Sequence, residues 1–417
     1  MNRLFTAFIV AAMVLGVAVG WTLNVTQTPE EAAAWAGGLS IITDVFLRLI
    51  KMIIAPLVFS TLVAGIAHMG DASEVGRVGL KAIGWFVLAS IVSLTLGLGM
   101  VHLLQPGTGL DLTPPDPATA GAAVDVSKFT LREFVTHLVP TSIFDAMARN
   151  EILQIVVFSV LVGAAVAAVD DKAPQVLALV EQVAQIMLKV TGYVMRTAPL
   201  AIFAALAASI ATRGVGVLVT YSKFVGGFYL SLGVLWCVLI LAGVVIVGPR
   251  ILKLIGAIRS PTLLAFSTAS SEAAYPRTLE ELQKWGVSRK VASFVLPLGY
   301  SFNLDGSMMY CTFATLFIAQ VYGIELTLAQ QVTMLGLLMV TSKGMAGVPR
   351  ASLVVIAATL TYFKLPEAGI ALILAVDHLL DMGRSATNVV GNSVASAIVA
   401  KWEGQIEEPA PAGNHTA

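Results

Sequence analysis

The sequence predicts an all-α membrane protein with eight membrane-spanning helices and two re-entrant helical hairpins. Three observations carry that prediction. The 417 residues are 57% hydrophobic and 12% charged, with a mean hydropathy of +0.86, far more apolar than a soluble domain. Eight apolar stretches reach the roughly 20 residues that a bilayer crossing needs. Two further apolar stretches are broken at the centre by small, polar and Pro residues, as suits a helix that enters a membrane, turns and returns to the same side.

In chain order, spans are expected near 4–24, 40–69, 80–104, 132–169, 174–210, 218–249, 288–322 and 366–402. The first follows Met1-Asn2-Arg3 and reads as a retained helix rather than a signal peptide, because its apolar run is about 20 residues long and lacks a small-x-small cleavage site. Several others are too long for a perpendicular crossing and should tilt, kink or break. With the N-terminus inside, Arg3, Arg77, Lys81, Lys172, Arg250, Lys253, Arg259, Lys284, Arg289, Lys290 and Lys401 fall on one side. That distribution satisfies the positive-inside rule and makes both termini cytoplasmic. Gln105 to Val126, rich in Pro, Asp and Gly, reads as an external connection. The tail after 402 turns Pro-, Glu- and Gly-rich from Glu407 to Ala417 and is expected to be disordered.

The interrupted stretches are 257–286, broken at Ser267 to Pro276, and 327–364, broken at Thr341 to Arg350. A kinked span is the alternative for each, but it would put the basic loop from Trp285 to Lys290 on the wrong side. A third break, Gly299 to Ser307, interrupts the seventh span. Asn303 and Asp305 between glycines can unwind a helix, turning carbonyls toward a cation or proton while the carboxylate supplies charge. A satisfied polar pair at a helix contact is the other reading.

The eighth span carries Asp377, Asp381, Arg384, Asn388 and Asn392, at spacings of 4, 3, 4 and 4. At about 100° per residue these side chains fall within about 80° of one another. A charge at the bilayer centre costs about 2.5 to 3.5 kcal/mol on insertion scales, so the stripe must face a sheltered interior. Either it forms a binding site or it is an ion-pair network that pins helices.

Zero net charge and the absence of a Lys/Arg-rich run exclude a nucleic-acid partner. Cys237 and Cys311 lie in apolar segments without metal-ligand spacing and read as small hydrophobes, so no metal or cofactor is expected. An intramembrane enzyme is disfavoured because no nucleophile accompanies the carboxylates, and a channel because two hairpins are an odd way to build one.

Four motifs make the chain recognisable: Ser270 to Arg277 (SSEAAYPR), Asn303 to Ser307 (NLDGS), Ser342 to Pro349 (SKGMAGVP) and Asp381 to Asn392 (DMGRSATNVVGN). They resemble the dicarboxylate/amino acid:cation symporter family, which includes the glutamate transporters. The resemblance covers nearly the whole chain. It implies a homotrimer of independently working protomers with membrane lipid around it, and the short loops and absence of sorting signals point to the inner membrane of a bacterium. Residues 1–79 and 105–210 would form a scaffold, 80–104 and 211–402 a transport domain that slides as an elevator, and 403–417 a disordered cytoplasmic tail. It also implies a substrate site of Ser270, Ser271, Ser307, Val348, Ser352, Asp381, Arg384, Ser385 and Asn388.

The side-chain chemistry agrees. Arg384 can grip a carboxylate with two parallel charge-assisted bonds, which Lys cannot. Asp381, three residues earlier, suits an α-ammonium group, and the hairpin-tip N–H groups suit an α-carboxylate. Together these describe glutamate or aspartate as the small-molecule partner. A four-carbon dicarboxylate such as succinate is the alternative, and would leave Asp381 without its cation at a cost of several kcal/mol.

Sodium-coupled members resemble one another in an Asp at the position of Asn392, a Tyr at Phe86, a Thr at Ala89 and a Met at Leu304. Their replacement here leaves poor sodium sites, so the proton is the expected coupling ion and sodium the alternative. Glu272, Gly299, Asn303, Asp305, Asp377 and Asn392 are the candidate coupling residues, with Glu272 the hypothesised proton carrier. A cap on a helix starting near Pro276, or a pair with Arg277, is the alternative role for Glu272. Arg350 either steers anions to the external mouth or contacts solvent.

Overall fold

A computed structural model describes residues 3–67, 72–108, 136, 139–169, 174–213, 221–342, 351–374 and 376–407. Regular structure among them is helical, apart from one isolated bridge between Val287 and Ile406.

Helices α1 (Arg3–Thr26) and α2 (Pro29–Ala67) open the chain. The second starts well before residue 40, where hydropathy placed it. Thr28 and Glu31 form a reciprocal cap, with the Glu31 N–H donating to Thr28 Oγ1 (3.3 Å) and the Thr28 N–H to Glu31 Oε2 (3.0 Å). Pro29 occupies the first helical position, where its missing N–H costs nothing. Helix α3 (Ala72–Leu104) likewise exceeds its apolar run.

The expected fourth span, 132–169, is divided. Helix α4 (Ile143–Arg149) ends at Asn150 in the left-handed conformation, and α5 (Ile152–Val169) follows. Most of the stretch before 143 lies outside the described residues. The fifth span is α6 (Pro174–Met195) and α7 (Ala198–Arg213), bent by 53° at Arg196 and Thr197. Pro199 in the first turn of α7 cannot continue the α6 hydrogen-bond ladder.

Helix α8 (Ser222–Val247) is followed by α9 (Ile251–Ala257), bent 49° into α10 (Arg259–Thr268), and then by α11 (Ser271–Trp285). The seventh span is α12 (Arg289–Phe302) and α13 (Asp305–Val321). Helices α14 (Leu328–Thr341) and α15 (Ala351–Tyr362) flank the second expected tip, whose residues 343–350 lie outside the described set. A 3-10 turn (Glu367–Gly369) and α16 (Ile370–Leu374) precede α17 (Asp377–Trp402), so the eighth span is also interrupted.

Helices α3 and α8 are long and apolar enough to cross a membrane singly, and the bent α6–α7 and α9–α10 pairs each have the length and composition of a broken span or a re-entrant loop. Leu80, Leu103, Phe144 and Val245 stand outward among many exposed apolar side chains, a surface suited to lipid rather than water.

Two groups of helices pack internally. In one, α1 and α2 lie on α7, and α2 also contacts α5 and α6. In the other, α8, α10, α12 and α13 surround α17, while α3 lies along α13 and α10 folds back on α11. Every residue from Met382 to Ala400 is buried, so α17 is a core helix despite its polar stripe. The groups meet mainly where α11 and α12 press on α2.

The segment after α17 departs from expectation. Residues 403–407 are bound rather than free: Glu403 pairs with Arg77 (3.0 Å) and Lys81 (2.7 Å), the Ser288 N–H donates to the Gln405 carbonyl (3.1 Å), and the Glu407 N–H to the Gly286 carbonyl (2.7 Å). Arg250 Nη2 donates to the Glu407 carbonyl at 2.9 Å. Gly286, at φ 120°, gives the strap room that any Cβ would remove. Positions 408–417 lie outside the described residues.

Candidate functional site

The site grows from α17 and the broken α12–α13 helix against it. The break is narrower than the sequence suggested. Only Asn303 (φ −122°, ψ 59°) and Leu304 (φ −92°, ψ 64°) leave helical geometry. The Gly299 carbonyl is not released toward a cation; it accepts from the Asn303 N–H at 2.7 Å.

Asn388 bridges the break to α17, its Oδ1 accepting from the Gly306 N–H (2.9 Å) and its Nδ2 donating to Ser307 Oγ (3.3 Å). Of the coupling candidates, Gly299, Asn303, Asp305 and Asn392 meet one turn away, whereas Asp377 belongs to the charged cluster at the start of α17 and Glu272 to the first turn of α11. Asn303 Nδ2 donates to Asp305 Oδ2 (3.0 Å) and to Asn392 Oδ1 (3.2 Å), and all three residues are at most 1% exposed. Gly391 is required beside them, since a Cβ there would overlap Asp305 Oδ2. Gly299 packs on Asn392 and on the ring of Phe86. Ser93, which the sequence did not single out, donates to the Ala89 carbonyl (2.8 Å) and lies 3.3 Å from Asp305 Oδ1. Phe86, Ala89 and Leu304, the positions that depart from the sodium-coupled pattern, therefore border this one buried network.

Toward the start of α17 lies the charged cluster. Arg384 Nη2 sits 2.9 Å from Asp381 Oδ1 and 3.2 Å from Asp377 Oδ1, and the guanidinium is only 2% exposed. Its carbon lies 4.1 Å from the ring centroid of Tyr310, whose hydroxyl donates to Asp377 Oδ1 at 3.1 Å. Tyr310 is a second residue that sequence reasoning missed. It follows Ser307 by three positions on the same helical face, a signal too common to single it out. Phe228 packs edge-on against its ring at 5.6 Å and is itself packed edge-on by Phe313 at 5.5 Å. The Nε and Nη1 donors of Arg384 are buried without a hydrogen-bond partner among the described residues. A carboxylate bound through two parallel bonds would take Nη1 together with Nη2, competing with Asp381 for Nη2. Asp381, at 35% exposed, is the open member of the cluster.

The first hairpin tip is two residues, Ala269 in the left-handed conformation and the extended Ser270, not the ten from 267 to 276. Ser270 Oγ accepts from the Ala273 N–H (3.2 Å) as the N-cap of α11. Ser271 and Glu272 are thus the first helical residues, with Pro276 inside the helix. Arg277 is engaged by Glu280 and Glu281. The α10 arm packs on α17. Ser385 is buried on α17, and the Ser352 carbonyl faces Cys311 Sγ at 3.9 Å. Val348 and Arg350 lie outside the described residues. Among the described residues no cluster of His, Cys, Asp and Glu has the makings of a metal site.

A buried guanidinium with two carboxylates on a core helix, facing a broken helix inside an apolar bundle, suits a membrane transport protein. The profile of the Sodium:dicarboxylate symporter family matches residues 5–402, and the chain belongs to that family. It is similar to a C4-dicarboxylate transport protein of Cupriavidus pinatubonensis, at 42% identity over 87% of this chain and 85% of the relative. It is likewise similar to a proton/sodium-glutamate symport protein of Geobacillus stearothermophilus, at 39% identity over 95% and 94%. A proton/glutamate-aspartate symporter of Escherichia coli is 40% identical over 95% and 92%.

Proposed function

We propose that this symporter carries glutamate or aspartate with protons. The observation that carries the reading is Asp381, set 2.9 Å from Arg384 and partly open. An incoming side-chain carboxylate displaces Asp381 from Nη2 of Arg384, and the freed carboxylate receives the substrate ammonium. Recognition of both charges is then one exchange of ion pairs, with no buried charge left alone. The first turn of α11, which begins at Ser271 after the Ser270 cap, suits the α-carboxylate. Ser307, Ser352, Ser385, Asn388 and Val348 complete the proposed contact set.

The relatives named for glutamate or glutamate-aspartate symport support this substrate class. Transport of a C4-dicarboxylate is the second reading, favoured by the relative at 42% identity, and Asp381 argues against it. On our reading Asp381→Ser moves preference toward succinate, and unchanged aspartate affinity in that variant would refute the ammonium contact.

Proton coupling rests on the neutral Asn303–Asn392 pair and on Phe86 and Ala89 where oxygen ligands would be needed. Glu272 is the proposed proton carrier, with Asp305 and Asp377 as the other carboxyl groups. Eight spans with two re-entrant hairpins, both termini cytoplasmic, a homotrimer in the bacterial inner membrane and elevator movement of 80–104 and 211–402 against the rest complete the proposal. The test is uptake of labelled L-aspartate into proteoliposomes under an inward proton or sodium gradient at fixed potential. Accumulation with the proton gradient alone is expected; accumulation with sodium alone overturns the coupling.

A further inference from the structure

Helix α8 grips the back of α17 at the turn that carries the charged cluster. Tyr229 of α8 donates its hydroxyl to the Leu379 carbonyl at 2.6 Å. Two turns along α8, the Trp236 Nε1–H donates to Thr387 Oγ1 (2.8 Å), and the Thr387 hydroxyl donates in turn to the Gly383 carbonyl (2.8 Å). Leu379, Gly383 and Thr387 are four residues apart and so share one face of α17, about 80° wide. Gly383 keeps that face flat enough for α8 to lie against it, since a Cβ there would press on Leu232 at 2.8 Å and on the Tyr229 ring at 3.0 Å.

These bonds are additions to a ladder that is already complete. In an α-helix the Leu379 carbonyl takes the Gly383 N–H and the Gly383 carbonyl takes the Thr387 N–H. Tyr229 and Trp236 are both half-buried, and a phenol or indole in such a place ordinarily finds a partner. That need alone does not bring both to the same stretch of α17. What the two bonds bracket is the turn from Leu379 to Gly383, which holds Asp381 at its centre and is followed at once by Arg384. Asp381 projects from the opposite side of the helix, about 160° from the middle of the gripped face. Its ion pair with Arg384, 2.9 Å long, closes over that same turn. Helix α8 therefore holds from behind the segment that spaces the two charges in front.

We propose that Tyr229 and Trp236 are positioning residues that set the separation of Asp381 from Arg384, and thereby the preference for an acidic amino acid over a four-carbon dicarboxylate. This rests on Asp381 as the ammonium site. An amino acid engages both charges together, Asp381 through its ammonium and Arg384 through its side-chain carboxylate, so its binding depends on how far apart they are held. Succinate engages Arg384 without Asp381 and is indifferent to that spacing. Loosening the turn penalises one ligand and spares the other.

The experiment measures the affinities of the purified protein for L-aspartate and succinate, beside its thermal midpoint, in Tyr229→Phe, Trp236→Phe, Asp381→Ser and the Tyr229→Phe/Asp381→Ser double variant. Tyr229→Phe keeps the ring and removes the hydroxyl. It is expected to lower the aspartate-to-succinate affinity ratio about fivefold, the worth of about one hydrogen bond, through aspartate. Trp236→Phe is expected to act in the same direction, and it decides the question alone if Tyr229→Phe does not fold. On the Asp381→Ser background the tyrosine change should leave the ratio where it stands, because residues that act through one contact are not additive. A lower midpoint with an unchanged ratio, or an equal fall on the Asp381→Ser background, assigns both bonds to helix packing and overturns the proposal. An Asp381→Ser ratio equal to that of the unaltered protein overturns the ammonium site instead, whatever the two aromatic residues do.

Discussion

Arg384 is the residue on which the rest of the site depends, and its surroundings say how it stays charged in an apolar bundle. Two carboxylates, an aromatic face and burial on every side hold the guanidinium in one orientation, so little order remains to be imposed when a ligand arrives. Tyr310 supplies both the face and a hydroxyl to Asp377. Tyr310→Phe keeps the face and removes the hydroxyl, and we expect aspartate affinity to weaken by about 1.5 to 3 kcal/mol, the range for a hydrogen bond to a charged group. Binding titrations on the purified protein check this; unchanged affinity would mean that Asp377 holds Arg384 unaided. The stripe from Asp377 to Asn392 was legible in the sequence because helical periodicity places those residues on one face. Tyr310 and Ser93 were not, because each enters the site from another helix, and contacts between helices leave no local pattern.

The tip of the first hairpin shows how a short element can be misjudged. Small and polar residues from 267 to 276 suggested a long irregular loop, yet Ser270 caps α11 so early that helix resumes at Ser271 and runs through Pro276. The cap signal was present, but Pro276 seemed to mark where the helix began rather than a position within it. Capping and substrate contact make different demands on Ser270. Ser270→Asn should keep the cap, and Ser270→Ala should lose about 1 kcal/mol of stability. If the hydroxyl also touches substrate, uptake falls in both variants while the thermal midpoint falls only in the second. Equal uptake in Ser270→Asn and the unaltered protein would restrict Ser270 to its capping role. The seventh span shows the opposite case, in which Asn303 and Asp305 announced a break that the structure places within two residues.

Across the whole molecule, the strap at 403–407 ties the ends of α3, α8, α11 and α17 together at one rim. Composition gave no hint of it, since Glu403 and Glu407 read as tail residues until Arg77, Lys81 and Arg250 are brought beside them. Burial alone would raise the Glu403 carboxyl, but hydrogen bonds and charge from Arg77 and Lys81 outweigh it and hold the group below its ordinary value. A carboxyl lowered on folding adds stability above its unfolded pKa and loses it as pH falls through the folded one. Glu403→Gln should therefore lower the thermal midpoint at neutral pH, with the gap to the unaltered protein closing in acid. A gap independent of pH would assign the strap's contribution to its backbone bonds. The trio at the head of α17 carries a further consequence. With both carboxylates ionised, Asp377, Asp381 and Arg384 sum to −1. On the elevator movement proposed above, such a cluster would act as a voltage sensor: an inside-negative membrane would pull the empty carrier outward by at most about 2.3 kcal/mol per charge and 100 mV, so the cell's own battery would reset the binding site to face its next substrate.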